Sequence, residues 1–148
     1  MLKSEADPLT HVVFCTPGQE YYAIKNLKAH NILEWADPQK ALAQHDRLKE
    51  RMRVFGAGVI DVPELEGHPN SVFTRDTALC TPRGSIRLVP GIDTREAEGD
   101  WMASVLDGMG EPCAGQVLSP GTVDGGEVGF VGLAQRTNEA GYAQLSGF

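Results

Sequence analysis

Three observations predict an α/β fold built from a repeated strand and helix module. Short apolar runs that read as strands alternate with amphipathic stretches that read as helices. The order helix, glycine break, short strand ending near a proline, loop and acid-bearing strand occurs twice, and its acids, Asp76 and Asp124, stand 48 residues apart. At 148 residues and 41% hydrophobic, the chain is long enough for one core, so residues 1–148 are read as a single domain.

The apolar run His11–Cys15, closed by Thr16-Pro17-Gly18, predicts the first strand. Asp37 as N-cap and Pro38 at the first helical position open a helix in which Ala41, His45, Leu48, Met52 and Phe55 recur at steps of four and three. Gly56 and Gly58 end it. Lys40, Asp46, Arg47, Lys49, Glu50 and Arg53 form its other face, expected to be solvated, and His45 on the apolar stripe is expected to be a half-buried packing residue. Residues 59–63 predict a strand, 64–70 a polar loop, 71–80 a longer strand and 85–89 another. In the second helix Asp93 or Thr94 serves as cap, Glu96 and Glu98 suit the positive N-terminal end, and Trp101, Val105 and Met109 mark the buried stripe. Gln116-Val117-Leu118 opens a last strand region, and a final helix starts at Thr137 or Asn138.

Charge narrows the partners. With 13 Lys plus Arg against 20 Asp plus Glu, the net charge of −7 repels phosphate backbones and anionic lipid, so neither nucleic acid nor a membrane is expected. No stretch approaches the roughly 18 apolar residues of a membrane span, and residues 1–8 hold no apolar leader core, which predicts a soluble, cytoplasmic protein. Cys15, Cys80 and Cys113 are far apart and lack metal-ligand spacing, so they are read as reduced thiols; no metal and no cofactor are expected.

The two acids carry the chemistry. On an extended strand through "NSVFTRDTALC", Asp76 shares a face with Val72, Thr74, Ala78 and Cys80, while Arg75 points to the other. A buried carboxylate without a partner costs several kcal/mol, so a cation must meet Asp76, either a distant arginine of the fold or a ligand. Asp124 is followed by Gly125-Gly126, a pair that fits a bulge or the close approach of a ligand or another backbone. Two convergent carboxylates suit a guanidinium, which is planar, pairs bidentately with carboxylates and would keep its central carbon open to attack. Arg136, just before the last helix, could bind the carboxylate of an amino-acid substrate; a surface arginine is the plainer alternative.

"HPNSVFTRDTALCTPRG", "PGTVDGGEV" and "FVGLAQRTNEAGYAQL" together resemble the dimethylarginine dimethylaminohydrolase and arginine deiminase family, guanidine-modifying enzymes of the pentein fold. The resemblance implies a partial α/β-propeller of ββαβ modules, incomplete relative to the family's five. It implies a small-molecule guanidino substrate, arginine or a methylarginine, and a hydrolase of linear amidines in which a cysteine attacks the guanidino carbon and a histidine acts as general acid and base. Asp76 matches the acid that grips the guanidinium, Asp124 the carboxylate that orients the histidine and contacts the substrate, and Arg136 the arginine that binds the α-carboxylate.

Three departures from the family pattern bear on activity. Arg75 gives "FTRD" an arginine-deiminase character, while the segment lengths resemble the dimethylarginine type. Val89 stands where the family is expected to have a basic residue. The family's histidine and nucleophilic cysteine fall in a C-terminal half beyond Phe148, and Gly129 alone joins Val128 to Phe130 where relatives have a hairpin, which implies an N-terminal part with an internal deletion. Two readings follow: an amidine hydrolase, or a truncated and inactive module that binds a guanidinium or self-associates through exposed propeller edges.

Overall fold

The computed structural model describes residues 8–127 and 137–148. They form two units, one within Leu2–Val72 and one within Phe73–Phe148.

In the first unit, β1 (His11–Cys15) pairs in parallel with β2 (Gly58–Val62), His11 opposite Gly58 and Cys15 opposite Val62. Parallel strands need a crossover, and it contains a short helix α1 (Gln19–Tyr22), a 3-10 turn (Leu27–His30) and the long helix α2 (Pro38–Val54). The start of α2 is the predicted one: Asp37 Oδ1 accepts from the Lys40 N–H at 2.9 Å and Pro38 occupies the first turn.

The packed face of α2 is rotated from the predicted stripe. Ala41, His45 and Met52 are half-buried, but Leu48 is exposed and Phe55 is 82% exposed, whereas Lys49 is 8% exposed and buried. The expectation of a solvated Lys49 is therefore corrected. Its ammonium meets Asp46 at 2.8 Å, Asp61 at 2.9 Å and Thr16 Oγ1 at 3.0 Å, so its charge is neutralised where its methylene stem packs. His45 is the packing residue expected, edge-on to Phe14 with ring centres 5.3 Å apart.

The second unit holds a complete ββαβ module. β3 (Ala78–Thr81) and β4 (Gly84–Arg87) form an antiparallel hairpin, α3 (Glu98–Gly108) crosses over, and β5 (Cys113–Gln116) returns parallel to β4. Ile86, Leu88, Val89, Val117 and Val123 form its buried core, with Leu79 and Leu145 packed against them. The last helix, α4 (Glu139–Leu145), is capped by Asn138, whose side chain accepts from the Gly141 N–H at 2.8 Å. The described residues thus form a mixed α/β fold with small sheets that includes a ββαβ module, as predicted.

Three boundaries differ from expectation. Residues 71–80 are not one strand, because 3-10 turns occupy Pro69–Val72 and Thr74–Asp76 and the strand starts at Ala78. The Thr77 hydroxyl donates to the Thr74 carbonyl at 2.9 Å, a local bond that competes with a ladder. The helix expected from Asp93 starts at Glu98, after a 3-10 turn at Asp93–Arg95, and it buries Glu98, Gly99, Met102 and Leu106 rather than Trp101, Val105 and Met109. The strand expected at residues 116–118 is β5 and ends at Gln116, so Asp124 lies outside any strand.

Candidate functional site

Asp76 closes the 3-10 turn Thr74–Asp76, and Asp124 immediately precedes the 3-10 turn Gly125–Glu127. The two turns pack on each other. A side chain at Gly125 would overlap the carbonyl oxygen of Arg75, and a Cβ at Gly126 would lie 3.1 Å from Asp76 Oδ1. The double glycine therefore lets one backbone rest on another, one of the two uses foreseen for it, and this contact brings the acids into adjacent turns.

The cation that meets Asp76 is an arginine of the fold. Arg95, 3% exposed, donates from Nη1 to Asp76 Oδ2 at 2.8 Å, from Nε and Nη2 to Glu98 Oε2 at 2.8 Å each, and from Nη2 to the Phe73 carbonyl at 3.3 Å. Its guanidinium also lies 5.9 Å from the centre of the Phe73 ring. Burial alone would lower the Arg95 pKa, but the carboxylates of Glu98 and Asp76 overrule it and raise it. Asp76 keeps a side-chain exposure of 18%, with Oδ1 turned toward Gly126.

Asp124 is fully buried, and its N–H donates to Thr137 Oγ1 at 3.5 Å. Val123 before it is pinned to the core by a 2.8 Å bond from its N–H to the Val89 carbonyl. Val89 itself is a core residue. Arg136 and the short join at Gly129 lie outside the described residues. Arg95 was not foreseen, and Glu98 was foreseen only as an acid suited to the positive end of its helix. Their signal in the sequence is an Arg-x-x-Glu pair just after the Pro90-Gly91 turn, spaced to meet on one helical face.

No described cysteine is an activated thiol. Cys15 is buried, and Cys113 donates to the Gly115 carbonyl at 3.2 Å. Loss of water around its sulfur, and then the Glu111 carboxylate, push the Cys80 thiol above its ordinary pKa. His68 bonds the Glu66 carbonyl at 2.8 Å, a loop contact. Among the described residues no cluster of His, Cys, Asp or Glu could hold a metal ion, and no helix is long and apolar enough to cross a membrane.

A second charged cluster lies in the first unit. Asp61 Oδ2 takes Lys49 and the Thr16 hydroxyl at 2.9 and 2.7 Å, and Oδ1 takes the Thr16 N–H at 3.2 Å. Burial opposes ionisation of Asp61, but the bonds from Lys49 and Thr16 outweigh it and hold its pKa below the ordinary value. The bonds to Asp46 and Asp61 raise the Lys49 pKa, and loss of water followed by the Lys49 charge lowers that of His45.

No protein-family model matches the chain. It is 29% identical over 141 residues to the N(G),N(G)-dimethylarginine dimethylaminohydrolase of Pseudomonas aeruginosa, a match covering 91% of this chain and 54% of that protein. It is 31% identical over 128 residues to the enzyme of the same name from Streptomyces coelicolor, covering 82% and 49%. Among solved structures, a dimethylarginine dimethylaminohydrolase adduct with 4-chloro-2-hydroxymethylpyridine superposes with a TM-score of 0.75 at 27% identity, over 93% of this chain and 54% of that one. A variant of the Pseudomonas aeruginosa enzyme complexed with citrulline gives 0.76 at 26%, over 93% and 55%. AgrE in a binary complex with L-arginine shares the fold, with a TM-score of 0.64 at 17% identity, over 80% of this chain and 17% of that one. The chain spans about half the length of the curated relatives it matches.

Proposed function

We propose, for a chain that belongs to the dimethylarginine dimethylaminohydrolase and arginine deiminase family and has part of its propeller fold, that residues 73–148 grip the guanidinium of an arginine derivative. The observation that carries this is the packing of the Thr74–Asp76 and Gly125–Glu127 turns, which sets Asp76 beside the Asp124 segment across glycine backbone. Asp76 binds the guanidinium through Oδ1 while Arg95 holds Oδ2. Asp124 is the catalytic carboxylate that orients the family's histidine, and Arg136 binds the α-carboxylate. The reaction class is hydrolysis of a linear amidine: dimethylarginine to citrulline plus dimethylamine, or arginine to citrulline plus ammonia. A relative complexed with citrulline supports the product class.

A second reading has its own support. None of the three cysteines has the electropositive setting of a nucleophile, so these 148 residues would bind a guanidinium without turning it over. Exposed Leu33, Val54 and Phe55, at 97%, 74% and 82%, favour association with further chains. One partial propeller domain over residues 1–148 is part of the same proposal, and a single cooperative unfolding transition would support it.

The deciding experiment measures citrulline formed from L-arginine and from dimethylarginine by the chain alone, with calorimetric binding of both compounds. Turnover abolished by Asp124→Asn supports the hydrolase. Binding without turnover, lost in Asp76→Asn and Asp124→Asn, supports the binding module. Unchanged affinity in both variants returns the acids to a structural role.

A further inference from the structure

We infer that Asn138 and Gln144 are positioning residues that fix Asp124 by gripping the loop leading to it; this rests on the proposed role of Asp124. Residues 118–123 have no regular structure, so their backbone polar groups lack the ladder partners a strand would supply. Helix α4 supplies them. Gln144 Oε1 accepts from the Leu118 N–H at 2.6 Å, and its Nε2 donates to the Leu118 carbonyl at 2.8 Å, so one amide satisfies both polar groups of one residue. Asn138 Nδ2 donates to the Pro120 carbonyl at 2.7 Å, Oδ1 accepts from the Thr122 N–H at 3.0 Å, and its own N–H donates to the Thr122 carbonyl at 3.1 Å.

A helix cap needs none of these. Capping α4 requires the bond from the Gly141 N–H to Asn138 Oδ1, and Asn138 makes that bond as well. Gly141 carries the same message, since a side chain there would overlap the Thr122 carbonyl oxygen; α4 is seated directly on the loop. Asp124 is thereby held by two parts of the second unit: through Thr122 and its own N–H by Asn138 and Thr137 at the start of α4, and through Val123 by the core carbonyl of Val89. A carboxylate on an irregular loop gains a fixed position this way, and a displacement of about 1 Å can cost as much as a hundredfold in function.

The test uses Gln144→Met, which leaves the cap intact, alongside Asn138→Ala and Asn138→Asp. In the unliganded protein, amide hydrogen exchange at Leu118, Thr122 and Asp124 should accelerate in Gln144→Met and in Asn138→Ala. Asn138→Asp, which retains an oxygen for the Thr122 N–H, should restore protection there. L-Arginine affinity by calorimetry should fall roughly tenfold or more in Gln144→Met. Unchanged exchange at Asp124 in both loop variants overturns the inference, as does L-arginine affinity in Gln144→Met equal to that of the unaltered chain. If the unaltered chain binds no L-arginine, the proposed function fails, and the exchange measurement still decides whether α4 fixes Asp124.

Discussion

Both units bury a base against an acid, Lys49 with Asp61 in the first and Arg95 with Asp76 in the second. The Lys49 cluster is closed. All three ammonium donors go to Asp46, Asp61 and Thr16, and both oxygens of Asp61 are taken by Lys49 and Thr16. The Arg95 cluster is arranged otherwise: Arg95 gives two bonds to fully buried Glu98, and a single one to Oδ2 of Asp76, whose Oδ1 faces the glycine turn. One device locks a fold and the other presents a carboxylate. Burial does not separate them, since the Asp61 side chain is 38% exposed and that of Asp76 is 18%; the use of each oxygen does.

Removing each base should sharpen that contrast most. Arg95→Leu removes the guanidinium paired with Glu98, a carboxylate at 0% exposure, and should cost about 3–5 kcal/mol. Lys49→Met leaves Asp61 able to rehydrate and should cost about 1–2 kcal/mol. Chemical denaturation of both variants measures this, and equal losses would break the comparison. Gly125→Ala comes next: its methyl would overlap the Arg75 carbonyl, so forcing the two turns apart should cost about 1–3 kcal/mol and weaken L-arginine binding in calorimetry.

The smallest effect is with pH, and it belongs to the first unit. Asp61 has a lowered folded pKa, so its contribution is present above the ordinary carboxylate value and is lost as pH falls through the folded one. His45 is lowered too, so its folded state resists protonation, and stability starts to fall once pH drops below the ordinary imidazole value. Melting temperatures followed downward from neutral pH should show both losses, and Asp61→Asn should flatten the more acidic one. An undiminished acid loss in Asp61→Asn would place it elsewhere.

Local rules were legible in the sequence wherever one residue type has one job. Asp37-Pro38 starts α2 and Asn138 starts α4, because caps are read from the residues that make them. The strand His11–Cys15 was legible from its apolar run. Residues 71–80 misled because "SVFTRDTALC" is rich in the β-branched and aromatic residues that strands favour, while the Thr74–Asp76 turn is held by tertiary contacts of Asp76 with Arg95 and of Arg75 with Gly125. Lys49 misled because polarity does not reveal that a long apolar stem packs inward when two acids wait for its end. For the site, an arginine of the fold was one of two cations expected for Asp76, but its identity as Arg95 depends on a pairing 19 residues away that no local pattern encodes.

The measurement that bears most directly on the central claim is selectivity between cation shapes. If Asp76 and Asp124 grip a planar fork as proposed, the chain should bind L-arginine, bind L-lysine roughly tenfold or more weakly, and lose arginine in both Asp76→Asn and Asp124→Asn, all by calorimetry. Equal affinity for the two amino acids, or arginine binding that survives in both variants, would contradict a guanidinium site at these turns.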